Sequence, residues 1–130
     1  MLIQEIKDSI YIDHIVLTVA NLDVSKEFYS KILGDNEYED EESVMYFVGN
    51  TKLFLVQQQD KTFQSKFNPQ QIGLEHLAFG INDISILKNV SDDLTTNNIK
   101  HSGIHIDKHS GKEKIWLDDP SGIRIEFFIR

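Results

Sequence analysis

The sequence of 130 residues contains no cysteine. That absence removes disulfides, thiolate zinc sites and cysteine nucleophiles from consideration. Positive charge is also short: 13 Lys and Arg stand against 21 Asp and Glu, for a formal net charge of −8. Such a balance repels nucleic acid and anionic lipid, and no local basic cluster offsets it. A small-molecule substrate is therefore the expected partner, with no nucleic acid and no membrane. No apolar run reaches the roughly 20 residues of a membrane span, and the opening Met1-Leu2-Ile3-Gln4-Glu5 lacks a secretory basic flank. The default expectation is a cytoplasmic protein. A hydrophobic share of 40% and a charged share of 26% describe an ordinary globular chain, and residues 1–130 fit one domain.

What the chain does have is an internal repeat. Aligning His14 with His76 brings Ile12 onto Leu74, Asp13 onto Glu75, Ile15 onto Leu77, Val19 onto Ile81 and Asn21 onto Asp83. Each copy begins with a strand-like run and continues into a helical pattern. The first helix, about Val24 to Leu33, carries Val24, Phe28 and Ile32 on one face, with Asp23 as N-cap and Gly34 as its stop. The second, about Ser85 to Asn97, carries Leu87, Val90 and Leu94. Hairpin-like segments follow: Val44–Val48 with Leu53–Val56 around Gly49-Asn50, then Ile115–Leu117 with Ile123–Phe128 around Asp118-Asp119-Pro120-Ser121-Gly122. A short strand at Ile104–Ile106 precedes the second hairpin, and the acidic stretch Asp35 to Glu42 leads into the first. The plan is strand–helix–strand–strand–strand, twice, giving an α+β fold with a curled mixed sheet around a cleft. Module one covers about 10–57, a Gln-rich linker about 58–71 and module two about 72–130. Neither half is long enough to bury its own sheet well, so the halves should pack together or swap between chains.

Each copy places one histidine, His14 or His76, at the matching point of its first strand. The last strand places Glu126 among apolar residues. Two imidazoles and one carboxylate are what a divalent metal site with open positions needs. Side chains alternate along a strand, so a cleft-facing His14 takes Val16 and Thr18 with it, His76 takes Ala78 and Gly80, and Glu126 takes Arg124 and Phe128. The opposite faces are uniformly large and apolar. Arg124 has two readings: a salt-bridge partner for the buried Glu126, or a catalytic-site group that steers an anion. Tyr46, Phe54 and Trp116 are candidates for the substrate pocket wall along with Thr18, though core packing competes for at least one aromatic. His101, His105 and His109 lie in or near loops, and of these His105 alone is placed to enter the cleft.

Three segments carry a resemblance: Asp13-His14-Ile15-Val16-Leu17-Thr18-Val19 with Asp23, Phe28-Tyr29 and Leu33-Gly34; Leu74-Glu75-His76-Leu77-Ala78-Phe79; and Leu117-Asp118-Asp119-Pro120-Ser121-Gly122-Ile123-Arg124-Ile125-Glu126. Together they resemble the vicinal oxygen chelate superfamily of glyoxalase I, fosfomycin-resistance thiol transferases, extradiol dioxygenases and bleomycin-resistance proteins. The resemblance implies paired βαβββ modules and a divalent metal (Fe, Mn, Zn, Ni or Mg) held by His14, His76 and Glu126, with Glu126 also a catalytic group. It further implies a homodimer in which one site draws on either one chain or two. The activity implied is lyase or isomerase, dioxygenase or thiol-transferase chemistry on a small substrate that chelates the metal through two oxygens. The alternative is a metal-free, drug-sequestering protein of the bleomycin-resistance type. Glyoxalase I-like members add a further ligand from the strand equivalent to Leu53–Val56, and the repeat sets Val56 against Glu126 there, so that ligand is missing. A potassium-binding loop of the thiol-transferase kind is not recognisable in Ser110-Gly111-Lys112-Glu113-Lys114, and the dioxygenases commonly run to twice this length.

Overall fold

A computed structural model describes residues 9–63 and 65–130. The Met1–Glu5 opening and Gln64 of the linker lie outside the described residues. The first module runs β1 (His14–Val19), α1 (Leu22–Leu33), β2 (Tyr38–Glu39), β3 (Ser43–Val48) and β4 (Thr51–Gln57). The second runs β5 (His76–Ile81), α2 (Ile84–Thr96), β6 (His105–Ile106), β7 (Glu113–Asp118) and β8 (Arg124–Ile129). The expected α+β architecture of two βαβββ modules is present. The cleft-forming sheet is two separate four-stranded sheets, with orders β1-β4-β3-β2 and β5-β8-β7-β6.

In each sheet the first strand pairs in parallel with the last, and the other pairings are antiparallel. A parallel pair needs a crossover, which the intervening helix begins, whereas the antiparallel pairs close with short turns. Helix α1 starts two residues earlier than expected. Asn21, rather than Asp23, is its N-cap and accepts from the Val24 amide at 3.1 Å. Asp23 instead sits in the first turn, where a negative charge suits the helix dipole. The helix stops at Gly34, whose φ of 85° suits a residue without Cβ. Asp83 caps α2 in the repeat-equivalent way, accepting from the Ser85 amide at 2.8 Å.

One face of each sheet is covered by its helix. Leu17, Val19, Val44, Tyr46, Leu53 and Leu55 bury against Phe28 and Tyr29; Phe79, Ile115, Leu117, Ile125 and Phe127 bury with Leu87 and Leu94. Each large side chain removed from water in this way contributes about 1.5–3 kcal/mol. Gln57 ties the end of β4 to the start of α1: its Oε1 accepts from the Leu22 amide at 2.8 Å and its Nε2 donates to the Ala20 carbonyl at 2.9 Å. It faces structure, not solvent.

The two modules are joined through a buried carboxylate in the β7–β8 turn. Asp119 Oδ1 accepts from the Ser121 and Ile123 amides, each at 2.8 Å, and Oδ2 accepts from the Tyr29 hydroxyl at 2.7 Å. Burial pushes the Asp119 carboxyl above its ordinary pKa even though these donors pull it down. Next to it, Ser121 Oγ accepts from the Ala20 amide at 3.0 Å and the Ser121 carbonyl accepts from Phe67 of the linker at 2.8 Å. The turn thus fastens β8 to the first module and to the linker. Replacing Asp119 by Ala strands two amides and one hydroxyl in a dry place. We expect a stability loss of roughly 2–4 kcal/mol, read as a lower urea midpoint. A loss under about 0.5 kcal/mol would show that water replaces the carboxylate freely.

Candidate metal centre

Strand register sets out the face left open by the helices. Across the second sheet His76 pairs with Arg124, and Arg124 with Asp118; Ala78 pairs with Glu126, and Glu126 with Trp116. Phe128 pairs with Lys114, and Lys114 with His105. Directly paired residues share a face, so His76, Glu126, Trp116, Arg124, Lys114 and His105 occupy one surface. The first sheet repeats the arrangement. His14 pairs with Lys52 and Val16 with Phe54 on β4, while Phe54 pairs with Met45 of β3.

Both histidines are held by the residue before them. His14 Nδ1 lies 2.8 Å from Asp13 Oδ2, and His76 Nδ1 lies 2.6 Å from Glu75 Oε1. The His14 contact holds the Asp13 carboxyl below its ordinary pKa. A ring N–H given to a carboxylate fixes the imidazole so that Nε2 is the acceptor, the arrangement found around metal-bound histidines. The partners were present in the repeat as Asp13 aligned with Glu75. Their role was not visible there, because it depends on each acidic side chain folding back where its strand begins.

His76 Nε2 is 3.1 Å from Glu126 Oε2, and Glu126 is only 6% exposed. A neutral imidazole has one N–H, yet His76 faces a carboxylate at each nitrogen. A second positive species at that point, a proton or a metal ion, resolves the conflict. Metal bonds of about 2.0–2.2 Å to nitrogen and oxygen, set near a right angle, put two donors about 3 Å apart. The His76–Glu126 spacing fits that chord, and an imidazole–carboxylate donor set suits a borderline divalent cation.

The other oxygen of Glu126 is engaged too. Lys114 Nζ lies 2.9 Å from Oε1, and 3.4 Å from Asp107 Oδ1. Contact with Glu126, more than with Asp107, raises the Lys114 pKa. Lys114 is the residue that the sequence reading missed. Its strand starts at Glu113, inside a stretch that reads as a polar loop, and only the register places the ammonium beside Glu126.

Several expected roles change. Arg124 is not the partner of Glu126; it pairs with Asp118 at 2.6 Å and lies 3.8 Å over the Trp116 ring. Tyr46 is no pocket wall: it is fully buried on the helix face, donating to the Lys26 carbonyl and bonded to Ser30 Oγ at 2.8 Å. Trp116, Phe54 and Thr18 do lie on the open faces. Phe54, not Val56, holds the place equivalent to Glu126, because His14 pairs with Lys52 as His76 pairs with Arg124. A phenyl ring, 6.0 Å from the His14 ring and edge-on to it, therefore stands where a fourth ligand would be. His14 is not part of the His76–Glu126 contact. Among the described residues of one chain, no three His, Asp or Glu side chains are grouped closely enough to hold a metal.

The tautomer assignment is open to direct measurement. Proton–nitrogen correlation spectra of the metal-free protein should show His14 with Nδ1 protonated and Nε2 as acceptor, and Glu75→Gln should loosen that preference at His76 alone. An Nε2-protonated His14 would contradict the arrangement.

Known proteins share this fold. The chain is 27% identical over 124 residues to the YaeR protein of Escherichia coli (strain K12), covering 90% of this chain and 94% of that one. A glyoxalase-labelled crystal structure from Bacillus halodurans superposes with a TM-score of 0.81 at 21% identity, covering 92% of this chain and 95% of that one. Lactoylglutathione lyase from Agrobacterium tumefaciens gives 0.72 at 20%, covering 92% of each chain. The family model for the glyoxalase/bleomycin resistance protein/dioxygenase superfamily matches residues 11–127, and the chain belongs to that superfamily.

Proposed function

We propose that the protein is a metal-dependent enzyme whose divalent ion is held by His76 and Glu126 of one chain and His14 of a second copy. The observation that carries this reading is the His76–Glu126 pair at 3.1 Å, with His76 Nδ1 already committed to Glu75. His14 presents a likewise carboxylate-tethered imidazole on the other sheet, held by Asp13, 55% exposed and short of partners for a site of its own. The open face around it carries Val16 at 51% and Phe47 at 46% exposure, apolar surface that a second sheet would cover. A homodimer supplies that cover and the missing donors together.

His76, Glu126 and the second copy's His14 would hold the ion, which when bound would supply Lewis acidity toward the oxygens of a small chelating substrate. The protein's own residues do the rest. Trp116 and Phe54 border the ligands and exclude water. Arg124, fixed by Asp118 and by stacking on Trp116, presents a guanidinium edge at the rim that orients an anionic group. With Phe54 in the fourth ligand place, the three-ligand set favours thiol-transferase or dioxygenase-type chemistry over a glyoxalase I-type lyase. The rival reading, a metal-free small-molecule binder, draws on Lys114, which already neutralises Glu126.

Complementation between variants tests the shared site. His14→Ala and His76→Ala should each lose stoichiometric binding of Fe, Mn, Zn, Ni and Mg ions while melting near the wild type. Unfolded together and refolded, the two should recover about a quarter of the wild-type binding capacity, because half the dimers carry one intact site. No recovery, with each variant dimeric, would sink the two-chain site. A wild-type melting point unmoved by all of these metals would select the metal-free binder.

A further inference from the structure

The two oxygens of Glu126 are divided between two nitrogen-bearing neighbours. Oε2 faces His76, and Oε1 holds the Lys114 ammonium at 2.9 Å. Lys114 is itself mostly buried, its side chain 20% exposed, and it has a second carboxylate in reach: Asp107 Oδ1 at 3.4 Å. Asp107 is fixed independently of Lys114. Its Oδ2 accepts from the Ser110 amide at 2.8 Å and the His109 amide at 3.2 Å, and its backbone pairs with Lys112 and Gly111. A flexible four-carbon stem thus carries one ammonium between two preset acceptors, one belonging to the candidate metal centre and one outside it.

We propose that Lys114 is the resident counter-cation of Glu126 in the metal-free protein and gives way to a divalent ion, its ammonium then moving fully onto Asp107. This rests on the metal-centre reading above and adds a device to it. A buried carboxylate left without positive charge is costly, and Lys114 spares the empty centre that cost. The same ammonium opposes metal entry, because an ion and a lysine cannot both sit on Glu126 without repulsion. Asp107 lowers that opposition by giving the displaced ammonium a partner. Metal affinity is therefore set by the balance of two carboxylates for one lysine, neither Lys114 nor Asp107 being itself a ligand. The exchanged ammonium stays on the open face, beside the position of the metal.

Calorimetric titration of Mn(II), Ni(II) and Zn(II) into the wild type, Lys114→Met and Asp107→Asn tests this directly. Lys114→Met should bind the ions at least fivefold more tightly, and Asp107→Asn at least threefold more weakly; the asparagine retains an oxygen for the Ser110 amide, so the loop persists. Without metal, Lys114→Met should melt below the wild type, and saturating metal should close that gap. Wild-type binding with both variants unchanged, or shifted in the same direction, overturns the exchange and leaves the metal-centre reading standing. Binding of none of these ions by any of the three proteins overturns both. Binding by Lys114→Met alone supports the lysine as resident cation and removes the metal from the wild-type function.

Discussion

A carboxylate taken out of water must be met by positive charge, and Glu126 is the point where this constraint shapes the rest of the molecule. Its strand, β8, is the centre of the second sheet, with β5 in parallel on one side and β7 antiparallel on the other. From β5 comes the His76 imidazole, from β7 the Lys114 ammonium. The pairing that gives the sheet its order is the same pairing that brings an imidazole to one carboxylate oxygen and an ammonium to the other. A charge in that position destabilises the fold when left alone.

The repeat makes the first sheet a variation on the second. Both present a histidine tethered by the acidic residue before it, and both bury one apolar face under a helix. At the place that matters for a ligand they differ: Glu126 in one sheet is matched by Phe54 in the other. That substitution leaves the open face of the first sheet with an imidazole but no carboxylate at the place of Glu126, and the second with a carboxylate and one imidazole. Each half is chemically incomplete, and the Tyr29–Asp119 joint holds the two in one chain without bringing His14 to Glu126. In the proposed site a second copy of the chain would supply the missing combination.

Much of this was legible from residue patterns. The Asp-His and Glu-His copies, the apolar helix faces and the turn clusters reappear as β1, β5, α1, α2 and the two hairpins. Register was harder. Setting Val56 against Glu126 is wrong by two residues, and a two-residue slip keeps every side chain on its own face, so the hydrophobic pattern cannot detect it. The cause is unequal turns: Gly49-Asn50 joins the first hairpin, whereas residues 119–123 join the second. Lys114 was hidden for a related reason. Its neighbours Glu113 and Lys112 give the start of β7 the composition of a loop, and only strand pairing reveals which way a lone charged residue faces. Of the two readings of Arg124, the one as partner of Glu126 came from a shared strand and face, while the cation that meets Glu126 comes from the neighbouring strand.

In the proposed centre, side chains from two sheets, in two copies of the chain, share one cation. A crystal of the metal-loaded protein, with diffraction collected at the absorption edge of the bound ion, measures this most directly. An anomalous peak is expected about 2.0–2.2 Å from His76 Nε2 and a Glu126 oxygen, and at the same distance from His14 Nε2 of a second copy. A peak held by other residues, or His14 remote from Glu126 in every pair of copies, would contradict it.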